Sequence, residues 1–259
     1  MIENVQSGLC SVTFRGLDPA AIIDLAVGAG LQGIEWGADG HVPVGDVPRA
    51  REVAARCADA GIECPSYGTY LGADQGSGST ADACATASAL GADNLRVWTP
   101  LGTDHTADPE TRGEIVRELS TTSAIAVDHG LTVGVEFHGW TLTHTAESTL
   151  QLIDEVGAPN FYTYWQPVYW DETINDDPVA QVAEFDAVSE HLAHLHVYWW
   201  RGLTRHPLVD GEATWSEVLP RARGTSRWEK PRYAFLEFLP DDEPSLLARE
   251  AATLTKWIA

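Results

Sequence analysis

The sequence predicts one closed (β/α)₈ barrel, a single domain over residues 1–259, on three observations. The chain has 259 residues, and barrels of about 250 residues are ordinary. Short β-rich runs alternate with longer amphipathic ones from end to end, with no Ser/Gly linker or low-complexity stretch dividing them. The amphipathic runs repeatedly stop at glycine just before the next β-rich run, which is the punctuation of repeated βα units.

In chain order, the first β-rich run is 9–14. A helical pattern over 19–28 follows Asp18, an N-cap type, and stops at Gly28 or Gly30. The second run is 33–36, and helix 47–60 then ends at Gly61. The third run, 62–67, leads to helix 80–90, which Gly91 closes. The fourth, 94–98, leads to helix 109–129, closed by Gly130. The fifth, 132–137, leads to helix 147–156, closed by Gly157. Runs 161–166, 193–198 and 233–238 complete eight. Strand starts lie about 24 to about 40 residues apart, which accommodates a crossover helix each time. Eight such units in series point to a closed barrel. The alternative is an open doubly wound sheet, but no GxGxxG follows a strand, so a dinucleotide site has no support.

Composition narrows the function. The chain carries 38 Asp and Glu against 16 Lys and Arg, a formal charge of −22. That field repels phosphate backbones and disfavours nucleic acid, while it favours a cation in a cleft. No run approaches the roughly 18 uninterrupted apolar residues of a membrane span. Residues 1–4 offer neither a basic nor an apolar signal region, so a soluble, cytoplasmic protein is expected. Cysteines 10, 57, 64 and 84 form no CxxC pair and are expected to be reduced and packed.

In a barrel, chemistry gathers at the C-terminal ends of the strands. The last four runs offer Glu136, Gln166, His196 and Glu237 there. Side chains alternate along a strand. Glu136 between Val135 and Phe137, His196 between Leu195 and Val197, and Glu237 between Leu236 and Phe238 should therefore face the axis, their neighbours the helices. Taken singly, a buried Glu pairs with Arg and a strand His is a satisfied core residue. Taken together, a carboxylate among large apolar groups is costly, and one divalent ion removes that cost while using all four groups. Oxygen-rich ligation with one imidazole suits Mn²⁺, Mg²⁺ or Co²⁺.

Three segments carry a family resemblance: Gly134-Val135-Glu136-Phe137-His138-Gly139, His194-Leu195-His196-Val197 and Phe235-Leu236-Glu237-Phe238. With the order and spacing of the eight units, the chain resembles the xylose isomerase-like TIM barrels. That group includes the ketose 3-epimerases, hydroxypyruvate isomerase, inosose dehydratase and endonuclease IV. The resemblance implies a metal held by Glu, Asp, His and Glu from the last four strands. Glu136, His196 and Glu237 match three of these, and Gln166 stands where the family has Asp, so the set carries two negative charges where the family's has three. The ketose 3-epimerases' second Glu, His and Arg positions are Leu142, Tyr169 and Gly202 here, with Arg201 and Arg205 nearby, so their substrate does not carry over. Endonuclease IV needs extra His ligands, yet Tyr67-Gly68-Thr69-Tyr70 follows the third strand.

Removal of a proton beside a carbonyl gives an enediolate, whose charge a divalent ion stabilises. Glu136 and Glu237, three strands apart, would flank the substrate as the catalytic pair, as the two glutamate ligands do in the related epimerases. His138 also points inward and could bind a substrate hydroxyl or donate a proton. His194 lies one layer deeper and reads as structural. Arg96 could hold an anionic group, or pair with a barrel carboxylate. Trp36, Trp98, Trp140, Trp170, Trp199 and Trp200 all fall at or after strand ends, and together with Tyr198 they suggest an aromatic mouth for a sugar or polyol. Core packing is the bland alternative for each. The expectation is a metal-dependent isomerase or epimerase. A dehydratase of an inosose-like substrate and a non-catalytic sugar-binding barrel stay open, as does a homo-oligomer.

Overall fold

The computed structural model describes residues 5–72, 78–224 and 227–259. Residues 1–4, which carry the expectation of no signal region, lie outside the described residues.

Eight parallel strands close into a ring: β1 (Val5–Cys10), β2 (Gly33–Gly37), β3 (Glu63–Gly68), β4 (Asn94–Val97), β5 (Thr132–Val135), β6 (Phe161–Trp165), β7 (Leu192–Val197) and β10 (Arg232–Leu236), which returns to β1. Closure is in register, with Leu9 opposite both Ile34 and Leu236. A small antiparallel hairpin, β8 (Trp199–Arg201) with β9 (Thr204–His206), stands on the rim after β7. The helices are α1 (Pro19–Gly28), α2 (Val47–Ala60), α3 (Thr80–Leu90), α4 (Pro109–Asp128), α5 (Ala146–Val156), α6 (Glu172–Asn175), α7 (Pro178–Val188), α8 (Glu212–Ala222) and α9 (Leu247–Ile258). No helix among the described residues is long and apolar enough to cross a membrane.

Local chemistry explains the boundaries. Asp18, Asp46, Ser79, Asp108, Thr145 and Asp177 each accept a backbone N–H of the first turn. Gly61, Gly91 and Gly157 end α2, α3 and α5 in the left-handed conformation that glycine adopts without strain. The main departure from expectation is the first strand. It ends at Cys10, and Ser11–Phe14 is a 3₁₀ turn. The β-branched and aromatic residues there read as strand, but the Ser11 hydroxyl accepts the Gly37 N–H at 2.8 Å and Thr13 Oγ1 accepts the Phe238 N–H. Those bonds turn the chain across the mouth. The fifth, sixth and eighth strands likewise stop one residue before Glu136, Gln166 and Glu237.

The apolar core lies between sheet and helices, with Trp36, Trp165, Trp215, Phe185, Ile22 and Leu254 fully enclosed. Inside the ring, Tyr162, Tyr164, Tyr233, Phe235 and Trp228 form a separate aromatic plug. Gly8, Gly33 and Gly134 make room for it: a Cβ on any of them would sit about 2.5–2.6 Å from a Phe235, Tyr233 or Tyr164 ring carbon. The upper barrel is polar, and there the site begins.

Candidate functional site

A cavity of about 130 Å³ opens at the C-terminal end of the ring. Arg96, Glu136, Gln166 and Glu237 face it from below, with His138 beside them. Its walls are aromatic: Tyr70, Trp98, Tyr169, Tyr198, Trp200 and Phe238.

His196 lies beneath this floor, fully buried. Its Nδ1 is 3.3 Å from Gln166 Oε1, 3.4 Å from Glu237 Oε2 and 3.8 Å from Glu136 Oε1. The four residues expected from the last strands are thus together, around one nitrogen. The other ring nitrogen, Nε2, lies 3.3 Å from Glu35 Oε1. Burial alone would lower the imidazole pKa, but Glu237, Glu35 and Glu136 outweigh it and raise it. Burial also pushes the Glu237 carboxyl up, and Glu136 and Glu35 add to that against the pull of His196 and Arg96. Both shifts share one cause, an excess of buried carboxylates around the imidazole.

Arg96 is buried in an ion-pair chain. Its Nε donates to Glu35 Oε1 at 2.8 Å and its Nη1 to Glu136. Of the two readings of Arg96, pairing with a barrel carboxylate is the one seen. Glu35 was not among the residues singled out from the sequence, because a lone Glu in a four-residue apolar run carries no pattern of its own. Burial opposes its ionisation, but Arg96, then His196 and Ser66, hold it well below the usual carboxylate range.

The β5–α5 loop fixes the next pair. Thr143 Oγ1 donates to the Glu136 carbonyl at 2.6 Å and accepts the His138 N–H, while Thr141 donates to the His138 carbonyl. His138 Nδ1 donates to the Gly139 carbonyl at 2.8 Å, leaving Nε2 to accept from the Tyr169 hydroxyl at 3.3 Å. Burial lowers the pKa of His138. With Nδ1 donating to Gly139, Nε2 is left as an acceptor, an arrangement that suits a substrate hydroxyl.

The tryptophans divide. Trp98 and Trp200 line the cavity, and Trp98 lies 4.7 Å from the His138 ring. Trp140 is half-exposed at the rim, 6.2 Å from the rings of His138 and Tyr169, and does not line the cavity. Trp170 stacks on His138 from outside. Trp36 and Trp199 belong to the core, the bland reading; alternation along β2 carries Trp36 to the helix side. His194 is buried a layer deeper, accepting the Tyr233 N–H, as expected. Phe238 corrects the strand alternation. The strand ends at Leu236, and a left-handed Phe238 (φ 49°) swings its ring over the cavity instead of toward the helices. The Arg15 and Arg205 guanidinium carbons lie 5.7 and 5.1 Å from that ring. Arg201 is exposed and pairs with Asp176.

Which residues could hold a cation follows from the donors. Three buried carboxylates, Glu35, Glu136 and Glu237, face one guanidinium, Arg96. Three oxygens converge on a single imidazole nitrogen. That donor set fits one hard divalent ion held by Glu136, Gln166, His196 and Glu237. Among the described residues, the His, Cys, Asp and Glu side chains whose donor atoms all approach one another closely enough to share an ion are Cys10, His196 and Glu237, without Glu136. Burial, with Glu35 and Glu237, pushes the Cys10 thiol up, away from the thiolate a ligand requires.

No curated protein matches the chain by sequence. Among solved structures, it resembles the probable 3-DHS dehydratase AsbF of Bacillus anthracis (19% identity, TM-score 0.77, covering 97% of this chain and 99% of that one). It also resembles a xylose isomerase-like TIM barrel protein of Mycobacterium smegmatis in complex with magnesium (14%, TM-score 0.75, 98% and 96%). A third is D-allulose 3-epimerase of Methylomonas sp. in complex with D-allulose (17%, TM-score 0.69, 99% and 98%). At these identities the likeness is one of fold. The family model described as xylose isomerase-like TIM barrel matches residues 23–226.

Proposed function

Since the chain belongs to the xylose isomerase-like TIM barrel family, we propose that it is a divalent-metal-dependent isomerase or epimerase of a sugar or polyol, acting by proton transfer at a carbon beside a carbonyl. The observation that carries this is the convergence of Glu136, Gln166 and Glu237 on His196 Nδ1 at the floor of an aromatic cavity. These four side chains would hold the ion, Mn²⁺, Mg²⁺ or Co²⁺. Once bound, the ion supplies positive charge against the oxygen on which negative charge develops.

The chain's own residues do the rest. Glu237 has no guanidinium partner of its own among the described residues and reaches the cavity, so it is the carboxylate better placed to take the carbon-bound proton. Glu136 faces the cavity from a strand three steps away and, starting the turnover as the acid, can return its proton to the other face, so that the two glutamates exchange protonation states. The C–H electron pair becomes the C=C bond of the enediolate as the carbonyl π pair moves onto oxygen, and both shifts reverse when carbon is reprotonated. His138 Nε2 accepts a substrate hydroxyl in place of Tyr169, and the aromatic walls stack on C–H faces and exclude water.

Glu136→Gln and Glu237→Gln should each lower turnover by at least about 10²-fold. The assay incubates metal-loaded protein with candidate sugars in D₂O. An isomeric product carrying solvent deuterium is expected. A dehydrated product would move the assignment to a lyase, and a purified protein that takes up no divalent ion would leave a sugar-binding barrel.

A further inference from the structure

We infer that Glu35 is a positioning residue, the hub that presents His196 and Arg96 to the site. The inference rests on the reading of Glu136, Gln166, His196 and Glu237 as metal ligands.

Glu35 sits on β2 with 2% of its surface exposed, and it does not line the cavity. It therefore acts only through what it touches. Oε1 accepts from Arg96 Nε at 2.8 Å and His196 Nε2 at 3.3 Å, with the Cys10 thiol at 3.8 Å. Oε2 accepts from Ser66 Oγ at 2.7 Å and the Tyr164 hydroxyl at 2.8 Å. The donors come from β1, β3, β4, β6 and β7. One carboxylate thus joins six of the eight ring strands under the site.

Two consequences bear on the chemistry above it. A His196 that donates through Nε2 keeps its ring turned so that Nδ1 faces Gln166, Glu237 and Glu136. A carboxylate behind a ligating imidazole fixes its orientation and raises its basicity. The same oxygen holds Arg96 by Nε, which aims Nη1 at Glu136. The space for this is reserved: a Cβ on Gly68 would lie 2.5 Å from Arg96 Nη2 and 3.0 Å from Glu35 Oε1. A knot that served only to tie strands together would not need two of its donors to be one residue of the proposed ion site and the partner of another.

The test is calorimetric titration of metal-free protein with Mn²⁺, alongside thermal unfolding. Tyr67→Phe is the control, because its hydroxyl makes a buried 2.6 Å bond to Val42 away from the cluster. Glu35→Gln should weaken Mn²⁺ binding by about 10–100-fold at unchanged stoichiometry, while Tyr67→Phe stays within about twofold of wild type. If Glu35→Gln does not fold, Glu35→Asp, which keeps the charge but withdraws the oxygens from His196, is titrated with the same expectation. Wild-type affinity in the folded Glu35 variant, or an equal loss in Tyr67→Phe, overturns the positioning role alone. Failure of the wild type to bind Mn²⁺ overturns the metal reading and this inference with it.

Discussion

Gln166 sets the charge of the proposed ion site. It supplies a carbonyl oxygen 3.3 Å from His196 Nδ1 where a carboxylate would add a negative charge. With Glu35, Glu136 and Glu237 already buried nearby, a fourth carboxylate would raise the cost of the empty site and the gain on filling it. Gln166→Glu, which preserves length, should therefore lower the melting temperature of metal-free protein and tighten Mn²⁺ binding by about tenfold, the equivalent of about 1.4 kcal/mol. Opposite signs in unfolding and titration are the signature. Weaker binding in this variant would place residue 166 outside the ligand set.

At the scale of elements, the β5–α5 loop is a clamp. Thr143 is fully buried, and its hydroxyl joins the Glu136 carbonyl to the His138 N–H. Thr143→Val keeps the shape and removes both bonds, so unsatisfied backbone groups should cost about 1–3 kcal/mol in denaturant unfolding. Because Glu136 and His138 lose their tether together, turnover should fall more than stability accounts for at temperatures where the variant is fully folded. Unchanged turnover would mean that β5 alone places them. The loop's conformation was not legible in the sequence, since Thr141 and Thr143 read only as polar residues. The helix caps were legible at Asp18, Gly61, Gly91 and Gly157, because a cap is a local contract between a side chain and the turn beside it.

At the scale of the molecule, 38 acidic residues face 16 basic ones. Surface pairs such as Arg56–Glu52 and Arg221–Glu217 are exposed on both sides and contribute little. Self-repulsion therefore dominates the surface, and salt should relieve it. Raising NaCl from about 0.01 M to about 0.5 M should lift the melting temperature by about 2–4 °C, the shift that about 1 kcal/mol produces in a chain of this size. A flat or falling melting temperature across that range would show that the acidic surface carries no net strain.

The βα rhythm and the inward aim of His196 were set by the sequence alone, because strand alternation and helix punctuation act between neighbours in the chain. Closure of the ring decided the rest. Glu35 meets His196 across 161 positions and Tyr164 across 129, and no local pattern encodes such a meeting. Phe238 turned to the cavity for the same reason. The direction of a side chain at a strand's end depends on where the sheet stops, and that is settled by the packing of residues remote in sequence.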